Sequence, residues 1–263
     1  MAQKKGNLLY KTVSRLITVI ALGVFIYAGY GLVDIFLDYY KNQQLMDSLQ
    51  ETFYDSASAA DETFTESMDT DDEFIVRPGF DELLKQNEDV VGWITVDGTK
   101  IDYPILQAEN NTKYLHHNFY LEESRAGSIF LDYRNDIRLI DEKNIVIYGH
   151  RMKDGSMFQH MTKFLDEDFF NKHRTIEFDT LYGHYEAEIF AVYNTLTTFD
   201  YIQTYFPDDA DFENLLMDIQ GFSKFESDVE VTADDQIITL STCDYVLDQN
   251  QGRLVLHAKL IKK

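Results

Sequence analysis

The chain contains one cysteine, Cys243, and so one side chain suited to act as a soft nucleophile. The thiol ends the run QIITLSTC, whose apolar and β-branched residues predict a strand over 236–242. A second run, RLVLHAKLI, begins at Arg253 after a nine-residue loop that holds Asp248, Gln249, Asn250, Gln251 and Gly252. Antiparallel pairing of the two runs lays the end of the first beside the start of the second. Cys243 and Arg253 then become neighbours although ten residues separate them. Alternation agrees with this pairing. Ile238 and Leu240 share one face, as do Leu254, Leu256, Ala258 and Leu260, while Ser241 and Cys243 point the other way with Arg253. Thiol and guanidinium would both project away from the apolar core.

A nucleophilic thiol needs a partner that moves protons. Of the seven histidines, His150 is the best placed, because it follows the buried-looking strand NIVIYGH and sits at a strand end. Gly149 before it permits an unusual backbone. His116 and His117 lie in a polar, aromatic segment and suit a surface. His160, His173 and His184 fall in helical or turn-like contexts, and His257 shares the outward face of the last strand. Spacing alone leaves these alternatives open.

The elements that must position these groups follow from patterning. Residues 16–33 run LITVIALGVFIYAGYGLV without a charge, and the apolar run resumes as Ile35, Phe36 and Leu37. As a helix, residues 16–33 rise about 27 Å, against ~30 Å of bilayer hydrocarbon. The stretch is longer than the ~7–15 residue core of a signal peptide and no A-x-A site follows it, so an uncleaved anchor over 16–37 is expected. Lys4, Lys5, Lys11 and Arg15 precede the span with no acid among residues 1–33. The positive-inside rule then puts residues 1–15 in the cytoplasm, the span in the cell membrane and residues from about 38 onward outside the cell. The remaining 230 residues hold 19 basic against 46 acidic side chains, a net charge of −27. Such a surface repels nucleic-acid phosphates. Residues 38–73 predict a helical stalk, carried by apolar positions of helical period across 33–55, and then an acidic linker over 55–73. The run DTDDE at 69–73 lacks the glycine and final glutamate of an EF-hand loop, so it reads as a solvated spacer. One cysteine leaves no internal disulfide and no cysteine-cluster zinc site.

Residues 74–263 then make up the globular domain. FDELLKQN predicts a short helix, and GWITVDGTKIDYPIL predicts a hairpin around Asp97-Gly98. Strands are expected at 128–133, 144–148, 175–179, 185–194, 229–232, 236–242 and 253–261, with helices near 156–170 and 208–220. Many short strands, a few helices and no βαβ rhythm point to a mixed, mainly β barrel.

TLSTC at 239–243, Arg253 ten residues on, and NIVIYGHRMKDGSMF at 144–158 resemble the sortases, membrane-anchored cysteine transpeptidases of Gram-positive bacteria. AGSIFLDYRND at 126–136 and TTFDYIQTYF at 197–206 extend the likeness, and the stretch 195–225 resembles class B. The resemblance implies an eight-stranded β-barrel with N-terminal helices and an extra helix before the seventh strand. It implies that Cys243 attacks the threonine carbonyl of an LPxTG- or NPxTN-like sorting signal to give a thioester. His150 would protonate the leaving amine and deprotonate the incoming one, and Arg253 would hold the substrate and the oxyanion. The implied partners are a surface protein or pilin bearing the signal and an amine acceptor, a peptidoglycan precursor or a pilin lysine. Motif matching places Asn111, Leu115, Thr197, Tyr201, Ile202, Ser241 and Asp244 along the peptide groove. Some class B members carry an acid two residues after the cysteine. Here that position is Tyr245 and the acid is Asp244, so the match does not extend to an acid as a further catalytic member. No metal and no cofactor are expected.

Two other readings compete. L,D-transpeptidases also use cysteine and histidine, but they place His-Gly before the thiol and arginine two residues after it. Here Ser241-Thr242 and Asp244-Tyr245 occupy those places. A tethered binding module with a merely buried cysteine would use none of this chemistry.

Overall fold

The computed structural model describes residues 2–64, 75–136, 138 and 142–262. The acidic run at 69–73 lies outside them. The chain divides into two compact units, Met1–Asn42 and Gln43–Lys263. Helix α1, Ala2–Phe64, runs through both. In the first unit its apolar side chains, Leu16, Ile20, Phe25 and Leu32 among them, are exposed. The Thr18 hydroxyl donates to the Ser14 carbonyl at 2.9 Å, so this polar group is satisfied within the helix. Val13–Ser58 contains a stretch whose length and composition suffice to cross a membrane.

The second unit begins earlier than the sequence pattern indicated. Met46, Leu49 and Phe53 form a buried stripe on the C-terminal half of α1, and Phe53 stacks flat on Trp93 with ring centroids 4.3 Å apart. Gln50 and Tyr54 donate to the Asp102 backbone carbonyl and carboxylate at 2.8 and 2.9 Å. Residues assigned to a stalk are therefore part of the globular unit from Gln43 on. The helix also continues past Asp55 to Phe64, where a linker was expected. An apolar stripe of helical spacing needs a surface to cover, and the barrel supplies it.

After a 3₁₀ turn at Pro78–Phe80 come α2 (Asp81–Gln86), β1 (Val90–Val96), β2 (Asp102–Leu106), α3 (Lys113–His116), β3 (Ile129–Leu131) and β4 (Asn144–Tyr148). A 3₁₀ stretch at Phe158–Leu165 then leads to α4 (Glu167–Lys172), β5 (Thr175–Thr180), β6 (His184–Leu196), α5 (Asp209–Phe222), β7 (Ile237–Cys243) and β8 (Gly252–Lys262). The strands close into a barrel in the order β1-β2-β3-β4-β7-β8-β6-β5. The pairs β2/β3 and β4/β7 are parallel, and all other neighbours are antiparallel. The β4/β7 pairing is decisive for the site. It sends the C-terminal ends of both strands to one rim, where antiparallel β8 begins.

Two local expectations differ from the structure. No strand forms at 229–232. That segment instead rests Val229 and Val231 on a second core built from α5 residues Phe212, Leu215, Leu216 and Ile219 and barrel residues Phe190, Tyr193, Ile237 and Val255. The same core covers the outer face of β7 and β8, so His257, expected on an outward face, is completely buried. Both faces of these strands are interior.

Candidate active site

Three strand ends assemble the site. Cys243 closes β7 directly opposite Arg253 in the β7/β8 register, and its thiol is free and partly exposed. The pairing extends one step further, with the Asp244 N–H donating to the Gly252 carbonyl at 3.0 Å. Glycine is required there, because a Cβ on Gly252 would lie 2.1 Å from the Asp244 carbonyl oxygen. The Arg253 guanidinium donates through Nη1 to the Gly252 and Asn250 carbonyls at 2.8 and 3.1 Å.

His150 reaches this rim through the parallel ladder. Tyr148 pairs with Ser241, and the Gly149 N–H donates to the Ser241 carbonyl at 3.3 Å, so the next steps along both chains lead to His150 and Cys243. Gly149 packs too closely for a side chain, since a Cβ would meet the Ile129 methyl at 2.4 Å. The ring is oriented by Leu115, whose carbonyl lies 2.8 Å from Nε2. A carbonyl only accepts, so Nε2 carries the hydrogen and a neutral ring keeps Nδ1 free for proton exchange. Leu115 lies in the single turn of α3, whose last carbonyls have no partner within the helix.

The groove candidates divide by accessibility. Asn111, Leu115 and Ile202 are partly exposed and Thr197 is exposed, whereas Tyr201, Ser241 and Asp244 are buried. The Tyr201 and Ser241 hydroxyls share a hydrogen bond of 2.8 Å. Burial pushes the Tyr201 hydroxyl above its ordinary range, while the Ser241 bond and the Arg253 charge work against that rise. Asp244 departs from the expectation. One carboxylate oxygen pairs with Arg151 and the other accepts from the Val246 N–H at 2.7 Å, so the side chain faces protein rather than a peptide.

A second polar cluster supports the groove and was not foreseen. The fully buried Asp132 carboxylate accepts from Arg134, Asn111 and the Tyr148 hydroxyl. Burial opposes its ionisation, but these donors outweigh burial and hold the carboxyl below its usual range. Arg134 also donates to the Ile202 carbonyl at 2.9 Å, and buried Asn144 donates to the Tyr201 and Gln203 carbonyls at 3.0 and 2.9 Å. The segment 201–203 is therefore bolted to the barrel. The adjacent Asp-Tyr-Arg letters at 132–134 were the available signal. Among the described residues, no group of three or more His, Cys, Asp or Glu side chains could hold a metal ion.

A thiol, an imidazole and a guanidinium on neighbouring ends of a closed barrel make the arrangement of a thiol-dependent acyl-transfer enzyme. Residues 94–261 match the Sortase domain family. The chain is 44% identical to Sortase B of Listeria monocytogenes over 247 residues, covering 94% of this chain and 96% of that one. Its fold superposes on sortase B of Bacillus anthracis in complex with AAEK1 with a TM-score of 0.74 and 46% identity, covering 87% and 100% of the two chains. A Staphylococcus aureus sortase B–substrate complex superposes with a TM-score of 0.76 and 37% identity, covering 86% of this chain and 99% of that one. The chain belongs to the sortase family, as a class B cysteine transpeptidase. The two rival readings, an L,D-transpeptidase and a non-catalytic module, find no support among these relatives.

Proposed function

We propose that Cys243, His150 and Arg253 carry the transpeptidation. The Cys243 thiol gives its proton to His150 as the sulfur attacks the carbonyl carbon of threonine in an LPxTG- or NPxTN-like signal, and the carbonyl oxygen takes the negative charge. Arg253 donates to that oxyanion. As the carbon–nitrogen bond breaks, protonated His150 gives its proton to the departing amine, leaving a thioester on Cys243. An incoming amine, from a peptidoglycan precursor or a pilin lysine, loses a proton to His150 and attacks the thioester. The carbon–sulfur bond breaks as the new amide forms, and His150 returns the proton to the sulfur, restoring the thiol. Asn111, Leu115, Thr197, Tyr201, Ile202 and Ser241 form or back the peptide groove. The N-terminus is cytoplasmic, the helix anchors the chain in the cell membrane, and the barrel acts outside.

The observation that carries this reading is the meeting of β4, β7 and β8 at one rim, with Cys243 opposite Arg253. The test uses quenched-fluorescent LPxTG- and NPxTN-type peptides with and without an added amine. Cys243→Ala should abolish cleavage and transfer without altering the melting profile, since one small side chain is trimmed. Covalent product from Cys243→Ala would remove the thiol from the mechanism.

A further inference from the structure

The β4/β7 ladder ends before the reacting groups. Its last register pair is Tyr148 with Ser241, followed by the Gly149 N–H to the Ser241 carbonyl. Beyond that point β7 continues only alongside β8. The two chains are tied again one residue past the reacting groups. Arg151, next to His150, makes an ion pair with Asp244, next to Cys243.

We propose that Arg151 and Asp244 are a positioning pair that sets the separation of His150 and Cys243 without touching substrate. This inference rests on the roles given to His150 and Cys243 above. Asp244 is the junction. Its carboxylate takes Arg151 and the Val246 N–H, and its backbone N–H bonds the Gly252 carbonyl beside Arg253. One residue thus connects the neighbours of all three reacting groups. Its side chain is only 2% exposed, against 24% for Arg151, so the carboxylate depends on its protein partners for compensation. Arg151 is held in turn, since its Nε donates to the Gln159 side chain at 3.2 Å. His150 is already turned by Leu115, so Asp244 is not its orienting acid. The ion pair controls distance, and Leu115 controls ring orientation.

The test is a double-variant cycle on the full chain in detergent, using the LPxTG- or NPxTN-type peptide that the wild type cleaves fastest. A displacement of about 1 Å in a reacting pair costs about 10²-fold in rate. Arg151→Met and Asp244→Asn should therefore each lower kcat by about tenfold or more, with KM changed by less than about threefold. The double variant should fall no further than the worse single variant, because both remove one tie. Arg151→Lys, which keeps the charge, should recover kcat to within about fivefold of wild type. Independent losses that multiply, a raised KM with unchanged kcat in Asp244→Asn, or a Lys variant as poor as Met would each overturn the pair. If Arg151→Met does not fold, Asp244→Asn and Arg151→Lys still decide through the KM–kcat split and the rescue. An Arg151→Met chain of full activity beside an inactive Cys243→Ala chain overturns this inference alone. Activity in Cys243→Ala overturns the reading beneath it.

Discussion

The Thr239 hydroxyl lies 2.6 Å from Asn144 Oδ1, and this one bond fixes the protonation of a histidine on the next strand. Asn144 spends its amide hydrogens on the Tyr201 and Gln203 carbonyls, so Oδ1 must accept and Thr239 must donate. Thr239 then accepts from His257 Nδ1 at 2.8 Å, which leaves Nε2 bare to accept from the Tyr193 hydroxyl at 2.8 Å. Every hydrogen in the chain has one place to go. The chain requires neutral His257, and burial alone pushes its pKa down to about 3.

A pH dependence of stability follows. An unfolded histidine titrates near 6.5, so below that pH the unfolded chain gains a proton that the native chain refuses until about pH 3. This site removes stability as pH falls through that window, by up to about 1.4 kcal/mol per unit. Between pH 7.5 and 5.0 its share of the loss is about 2 kcal/mol. His257→Gln keeps one donor and one acceptor but does not titrate. Urea melts at the two pH values should show a smaller acid loss in that variant, and equal losses would refute the account.

The strands were legible where their pattern was local. NIVIY and IITLSTC are short apolar runs that became β4 and β7, and hairpin geometry alone brought Cys243 to Arg253. The parallel pairing of β4 with β7 was not legible, because it joins segments far apart in the chain that share no turn. The Arg151–Asp244 pair was hidden for the same reason, although each residue adjoins one already singled out. His257 was misplaced because strand alternation identifies two faces without saying which are covered. Only the packing of α5 reveals that both are.

The C-terminal half of α1 should matter to the stability of the barrel. Phe53 is 6% exposed and stacks on Trp93, whose indole nitrogen donates to Asp102 at 2.6 Å. Phe53→Ala should destabilise a chain starting at Gln43 by about 3 kcal/mol, the lower range for a buried phenylalanine. A chain starting at residue 75 should melt lower still. Equal melting temperatures for the chains starting at 43 and 75 would return residues 43–58 to a stalk.

The proposed orientation is open to a direct assay. Protease added to intact protoplasts should remove the barrel and spare a tag on the N-terminus, as the basic residues before the span require. A barrel protected in sealed cells would reverse the topology.

Arg253 admits the sharpest separation of roles. Its Nη1 already donates to the Gly252 and Asn250 carbonyls, so part of the guanidinium is committed to holding the start of β8. A residue with only that duty needs a charge and one donor, which lysine supplies. An oxyanion needs a further donor aimed from the planar fork while those two bonds persist, which lysine cannot supply. Asp244 does not compete for the guanidinium, because its carboxylate belongs to Arg151. Arg253→Lys should therefore lose about 10²-fold or more in kcat, the typical cost of one oxyanion donor. Its Cys243 should still be alkylated at the wild-type rate, since the nucleophile is untouched. If Arg253 only anchors the strand, the Lys variant should stay within about threefold of wild type, too small a loss for a missing oxyanion donor. The fall in activity of Arg253→Ala should then track its melting temperature. Kinetics and thermal melts on the two variants distinguish a donor to the reaction from a donor to the fold.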